Sequence, residues 1–238
     1  MSEIPPLALN PELDIDALAV AYRAHGRIRI QRLLGEGAPE LYHHLEGTEH
    51  WIQLVNKQRG AHELPLADWH APRSRRRTVL EREMYQRARD GFQYSYAALR
   101  VPQQGESTPD PVLAAIAELM RGPAMVAMLE AVTGIAAPRF TDGQVTSYGQ
   151  GDFLTGHDDD VVGSRRQAAF VYGLTPQWRL EWGGLLLFHE PGQVEVSGLV
   201  PQFNTLDLFS VPRYHSVSQV TRAAPRRRYC VTGWLSTP

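Results

Sequence analysis

Cysteine is almost missing from this chain. Cys230 is the single one in 238 residues, which excludes an intrachain disulfide framework and fits a reducing cytoplasm. Lysine is as scarce: Lys57 stands alone and every other basic side chain is arginine, which reads as coding bias, not chemistry. No run of roughly 18 apolar residues occurs, so neither a transmembrane helix nor a membrane partner is expected. The opening MSEIPPLALN is neither basic nor followed by a long apolar run, so no signal peptide is expected. Large net charge is missing too. At −2, with an isoelectric point near 6.5, there is no global basic field to attract nucleic acid. No internal repeat and no low-complexity tract is visible. What remains is an ordinary globular composition, 43% hydrophobic and 21% charged, long enough for a sizeable core.

Two characters follow one another along the chain. Residues 1–10 are proline-rich and read as a loose arm. Asp14 to His25 has Ile15, Leu18, Ala19 and Tyr22 at helical spacing, capped by Asp14 and ended by Gly26. Residues 27–31 alternate as a strand, 38–45 read as a helix with Pro39 in its first turn, and 51–55 as a strand. Four arginines in Arg73 to Arg77 read as a solvated loop, with an anionic contact as the sharper alternative. Residues 80–88 suggest a helix. Phe92, Tyr94 and Tyr96 alternate with polar residues, giving core packing or an aromatic wall beside a pocket. Helices are expected from Asp110-Pro111 to about Met120 and over 124–132, with Met120, Met125 and Met128 packing between them. After Pro138 short strands take over, at 144–148, 167–172, 184–189, 193–196, 205–209, 216–220 and 229–235. Many short strands separated by turn residues suggest a sandwich or jelly roll. The expected fold class is mainly β with supporting helices (α+β): one domain over 1–238, with 1–137 as a helix-rich support and 138–238 as the β core.

The stretch YGQGDFLTGHDDD, residues 148–160, carries the chemistry. In an extended segment residues i and i+2 share a side, so His157 and Asp159 converge while Asp158 faces away. A second imidazole from a distant segment would complete a metal site, and of the nine histidines His215 is the evident partner. Two histidines and one carboxylate leave three octahedral faces open, the arrangement of non-haem Fe(II) oxygenases. The rivals are weaker. A calcium loop needs an Asp-x-Asp-x-Asp-Gly ladder that is missing, and a zinc hydrolase needs a general base that nothing here supplies. Farther on, Gly183-Gly184 make a glycine turn before a buried strand. Arg228, Cys230 and Thr232 should share one strand face. A buried arginine needs an anion, and a dicarboxylate would supply one through a two-pronged bond.

The ordered series Tyr148, His157-x-Asp159, Gly183-Gly184, His215 and Arg228 to Trp234 (RYCVTGW) resembles the 2-oxoglutarate and Fe(II)-dependent dioxygenases of the prolyl 4-hydroxylase superfamily, over roughly residues 138–238. The resemblance implies a double-stranded β-helix (jelly roll, cupin-like) with an N-terminal helical layer. It implies Fe(II) on His157, Asp159 and His215, and 2-oxoglutarate with its distal carboxylate on Arg228 and a contact from Tyr148. Arg166 and Trp234 fall where such enzymes bind substrate. O2 is the second co-substrate and ascorbate a reductant. The spacing from His215 to Arg228 is longer than the family's, so Arg226 or Arg227 could serve as anchor instead. Gly173 stands where some relatives carry a second co-substrate tyrosine, and Tyr172 beside it should face the other way. Cys230 reads as a small buried filler. The implied reaction is hydroxylation of a proline in a protein or peptide, with 2-oxoglutarate converted to succinate and CO2. Free proline or another small metabolite is the alternative substrate. A cupin-like sensor that binds metal and 2-oxoglutarate without turnover is the alternative of another class.

Overall fold

The computed structural model describes residues 5–57, 59–71 and 75–237. In chain order it contains β1 (Ala8–Leu9), α1 (Ile15–His25), β2 (Arg27–Gln31), β3 (Leu34–Glu36), α2 (Ala38–Gly47), β4 (Ile52–Asn56) and β5 (Ala61–Pro65). There follow α3 (Leu66–Trp69), α4 (Arg75–Arg87), β6 (Tyr94–Arg100), α5 (Pro111–Arg121), α6 (Pro123–Thr133), β7 (Arg139–Tyr148), β8 (Phe153–His157) and β9 (Arg166–Gly173). A 3-10 turn over Leu180–Trp182 precedes β10 (Leu186–Phe188), β11 (Ser197–Leu199), β12 (Thr205–Ser210), β13 (His215–Val217) and β14 (Arg228–Ser236).

The helices begin and end where local chemistry dictates. The Asp14 side chain accepts from Ala17 N, and Gly26 closes α1 in the left-handed conformation, its N–H donating to Tyr22 O. Asp110 caps α5 by accepting from Val112 N and Leu113 N, ahead of Pro111. Gly134, again left-handed, ends α6. Side-chain caps of this kind satisfy backbone N–H groups that the helix leaves without a partner.

One curled antiparallel sheet forms a half-barrel, ordered β11-β10-β13-β8-β6-β7-β14-β9-β12-β2, with β4 and β5 attached beside β6. Its outer face packs on the helices. Ile116, Met120, Met125, Met128 and Leu129 of α5 and α6 meet Phe170, Tyr172, Leu208 and Val231 of the sheet in the main core, so the three methionines are packing residues. The alternation of β14 divides its side chains. Tyr229, Val231 and Leu235 enter that core, whereas Arg228, Cys230, Thr232 and Trp234 line a cavity on the inner face. The bulge opposite Gly233 puts its extra residue in β7, between Thr141 and Gln144, so β14 keeps its alternation. No single helix among the described residues is long and apolar enough to cross a membrane.

Several local expectations change. Arg75 to Arg77 are not loop but the first turn of α4. Arg77 pairs with Glu81 one turn on, at 2.9 Å, and its guanidinium lies over Trp69. Leu80 and Met84 anchor the helix against Trp69 and Phe153; Arg73 lies outside the described residues. The segment 193–196, expected as a strand, is irregular, with a bend at Val194. A strand needs a neighbouring strand, and the short β10 takes Ser197–Leu199 as its partner instead, leaving Val194 and Val196 exposed. The arm is not wholly loose, because Ala8–Leu9 pairs with β3.

Candidate active site

Strand pairing builds the site. In the β13·β8 ladder His215 lies directly opposite His157, and their rings approach to 4.1 Å between centroids. Asp159 joins them by a route other than strand alternation. His157 ends β8, and the chain then turns, with Asp159 in the left-handed region at φ 63°. Non-glycine residues seldom adopt that conformation, and where they do the surroundings hold them. The turn buries Asp159 and exposes Asp158 and Asp160. Ligand atoms of His157, Asp159 and His215 all lie within 4.8 Å of one another.

The hydrogen bonds orient both imidazoles. Nδ1 of His157 meets the Thr155 carbonyl at 3.1 Å, and Nδ1 of His215 meets the Arg213 carbonyl at 2.8 Å. A carbonyl only accepts, so both Nδ1 atoms carry hydrogen and both Nε2 atoms face Asp159. Those contacts measure 3.3 Å from His157 and 3.5 Å from His215. Burial, with the nearby charge of His157, pulls the His215 pKa down to about 4. Its Nε2 is therefore a bare lone pair at neutral pH, aimed at a carboxylate oxygen. Two acceptors so placed call for a cation between them. Burial works to raise the Asp159 pKa, but the hydrogen bond from His157 and the charges of His215 and His157 prevail and hold it below the usual carboxylate range. The donor set of two neutral-capable imidazoles and one ionised carboxylate fits a divalent iron.

The triad opens into a cavity of about 520 Å³. Arg228 enters it from the first position of β14, cross-strand from Tyr148, with its guanidinium 5.4 Å from the Tyr148 ring. Arg228 is 4% exposed, and its buried Nη1 has no hydrogen-bond partner. Leaving a charged donor unpaired in the interior is expensive, so the site fits an anion such as a carboxylate. The Gly183-Gly184 turn makes this arrangement fit. A Cβ on Gly183 would lie 2.0 Å from the Gln219 carbonyl, and one on Gly184 would be pressed between Val220 and the Arg228 side chain. Arg227 points elsewhere. Its guanidinium donates to Ser147 Oγ, the Ser147 carbonyl and Asp152. Arg226 is outside the cavity lining as well, so among the three arginines the cavity takes Arg228.

Arg166 and Trp234 also line the cavity and touch one another. The guanidinium stacks on the indole at 3.7 Å and is tied to Asp142 at 3.0 Å. Phe92, Tyr94, Tyr96 and Tyr148 form a continuous aromatic wall, with successive ring centroids 5.7, 5.3 and 5.1 Å apart. The alternation of Phe92, Tyr94 and Tyr96 was the sequence signal for that wall. Gly173 lies outside the cavity lining, its Cβ position 2.3 Å from the Gln202 carbonyl. Tyr172 turns into the core and donates to Asn204. Sequence reasoning missed the buried network around Asp152, which accepts from Gln53, Ser95, Gly149 N and Arg227. No spacing connects Gln53, Ser95 and Asp152; only the pairing of β4, β6 and β8 does.

Cross-strand histidines, an acid held in a left-handed turn and an unpartnered arginine thus share the inner face of one half-barrel. Residues 143–236 match the 2OG-Fe(II) oxygenase superfamily, the stretch over which the sequence resembles such enzymes. Tyr148, His157, Asp159, Arg166, His215, Arg228 and Trp234 all fall inside it. More particularly, the chain is 33% identical over 115 residues to prolyl 3-hydroxylase OGFOD1 of Xenopus laevis, a match spanning 45% of this chain and 22% of that protein. The Mus musculus protein of the same name is 32% identical over 120 residues, 47% of this chain and 21% of its own length. The chain thus matches about a fifth of these relatives' length. Among solved structures, a 2OG-Fe(II) oxygenase family oxidoreductase from Burkholderia pseudomallei aligns with a TM-score of 0.63 at 13% identity, covering 96% of this chain and 93% of that one. A Trichoplax adhaerens prolyl hydroxylase, solved with a hypoxia inducible factor peptide fragment, aligns at 0.61 and 16% identity, covering 93% and 89%. At such identities the likeness is one of fold, and it bears out the double-stranded β-helix.

Proposed function

We propose that this protein is an Fe(II)- and 2-oxoglutarate-dependent prolyl hydroxylase acting on a proline within a protein or peptide. The observation that carries the reading is the pairing, in one cavity, of a cation-seeking triad with the unpartnered Nη1 of Arg228. The relatives named as prolyl 3-hydroxylases support proline as target and C3 as the position.

His157, Asp159 and His215 would hold the iron, and the carbonyls of Thr155 and Arg213 fix which ring nitrogens face it. Arg228 would take the distal carboxylate of 2-oxoglutarate by charge-assisted hydrogen bonds. The buried Tyr148 ring packs beside that guanidinium and keeps water from it. Bound iron would supply, with O2, the conversion of 2-oxoglutarate to succinate and CO2 and the hydroxylation of an unactivated C–H bond. The protein's own part is placement and exclusion of water. The aromatic wall forms one side of the cavity, and the Arg166–Trp234 stack forms another against which a proline ring could lie.

The test is incubation with Fe(II), 2-oxoglutarate and ascorbate, with proline-containing peptides, translation proteins and free proline compared by mass spectrometry. A gain of one oxygen on a peptidyl proline, with succinate released in step, is the expected result. Oxygen gained on free proline alone would make this a small-molecule hydroxylase. Uptake of iron and 2-oxoglutarate with no succinate from any substrate would make it a sensor.

A further inference from the structure

The unpaired charge around the mouth of the cavity has one sign. The cavity shares Gln144 and Trp234 with a neighbouring cavity of about 420 Å³, which runs on past Ile52, Glu63, Arg100 and Asp142. Together they make an elongated groove with the triad at one end. Two cations border it outside the interior. Arg166 is bound to Asp142 and stacked on Trp234, and Arg100 is bound to Glu106 at 3.0 Å. Glu63, Asp158 and Asp160 also line the groove, all three exposed, and none has a cationic partner among the described residues. The Glu63 charge reaches the aromatic wall, where it adds to the burial that raises the Tyr94 pKa. Asp158 and Asp160 flank the turn that delivers Asp159. Asp158 and Asp160 line the same cavity as the triad, so what reaches the triad passes these carboxylates.

We infer that the substrate is a basic segment, a proline flanked by lysine or arginine, whose side chains meet Glu63 on one side and Asp158 and Asp160 on the other. This rests on the prolyl hydroxylase reading and narrows its substrate class. The flanking charges set encounter and register, while the proline fills the inner cavity. An acidic segment would bring like charge against three unpaired carboxylates, a repulsion that selects against it. A free amino acid would leave the outer half of the groove empty.

The experiment measures binding of two labelled peptides to the full chain with Fe(II) and 2-oxoglutarate under anaerobic conditions, so that no turnover occurs. The peptides share one central proline and differ in carrying lysine or glutamate at the flanks. The lysine peptide should bind about tenfold more tightly at low salt, and the advantage should shrink as salt rises. Glu63→Gln, remote from the triad, should remove part of the preference, and Asp158→Asn with Asp160→Asn most of the rest. Iron uptake is measured on each variant, and if the aspartate changes disturb it Glu63→Gln alone decides. Equal affinity for both peptides, a preference for glutamate, or binding of neither would overturn the inference. In each of those cases succinate release with some other substrate would leave the hydroxylase reading standing. No iron uptake by the unaltered chain would overturn both.

Discussion

Arg227 and Arg228 are neighbours with the same side chain, one just before β14 and one at its first position, and they differ in satisfaction. Arg227 makes hydrogen bonds to Ser147 and Asp152, and Asp152 in turn collects Gln53, Ser95 and the Gly149 N–H. Every charge in that network has its counterpart inside the protein. Arg228, on the cavity side, keeps a buried Nη1 without any partner. The first arginine is satisfied within the fold, and the second is the one proposed to meet an anion. Saturation of hydrogen bonds, more than burial or residue type, separates a structural charge from a binding one.

The largest effects that test this contrast lie on the cavity side. Asp159→Ala should abolish succinate release, because it removes the only carboxylate between two imidazoles that then cannot hold iron. Measurable turnover in that variant would sink the site. Arg228→Met should leave the melting temperature nearly unchanged and raise the KM for 2-oxoglutarate about 100-fold or more, since truncating one member of a desolvated charge pair costs about 2–5 kcal/mol. If KM stays put, the anion binds elsewhere. Arg227→Met should do the reverse. It strands Asp152, which is 4% exposed, and should cost about 3 kcal/mol of stability, less than a fully buried pair would because Arg227 is partly solvated. Burial already raises the Asp152 pKa against the pull of Arg227, so in this variant the acid would take up a proton. Chemical denaturation of both variants beside 2-oxoglutarate titrations would show whether the two arginines exchange phenotypes as predicted.

How much of this was legible beforehand depends on the distance over which a signal acts. His157, Asp159 and His215 could be picked from residue type and order. The reason first given for their meeting was incomplete: strand alternation puts neither Asp159 in place nor His215 opposite His157. A left-handed turn and a ladder register do so, and a register is written nowhere in a single strand. Helix ends were readable because their causes are local, as at Asp14, Gly26, Asp110 and Gly134. The segment 193–196 failed because a short β-like run does not say which strand, if any, it will pair with. The choice among Arg226, Arg227 and Arg228 was equally closed to local reading. Only Asp152, 75 residues from Arg227 and paired with it at 3.1 Å, settles which arginine is already occupied.

Smaller effects sharpen the contrast within the cavity. Tyr148 is buried at 4% exposure, faces Arg228, and burial carries its pKa well above the ordinary value, so its hydroxyl stays protonated as a donor at any working pH. Tyr148→Phe should raise the KM for 2-oxoglutarate about fivefold, the worth of one hydrogen bond near 1 kcal/mol, without changing stability by a similar amount. An unchanged KM would reduce Tyr148 to packing.

The last test uses pH on the metal-free protein. His215 in the folded chain takes a proton only near pH 4, whereas an unfolded histidine does so near 6.5. Between those values the unfolded state binds more protons, so acidification through this window should lower stability, with the loss complete once pH falls below the folded value. Above about 6.5 both states are neutral and the contribution is flat. Denaturant midpoints for the native chain and His215→Gln, followed from pH 7 to pH 4, should diverge in shape, with the native curve falling more steeply. Iron should suppress the difference, because a ligated Nε2 has no lone pair left to protonate. If the two metal-free curves run parallel, His215 exchanges protons as freely as a solvated histidine. The triad would then be looser than its hydrogen bonds to Arg213 and Thr155 describe.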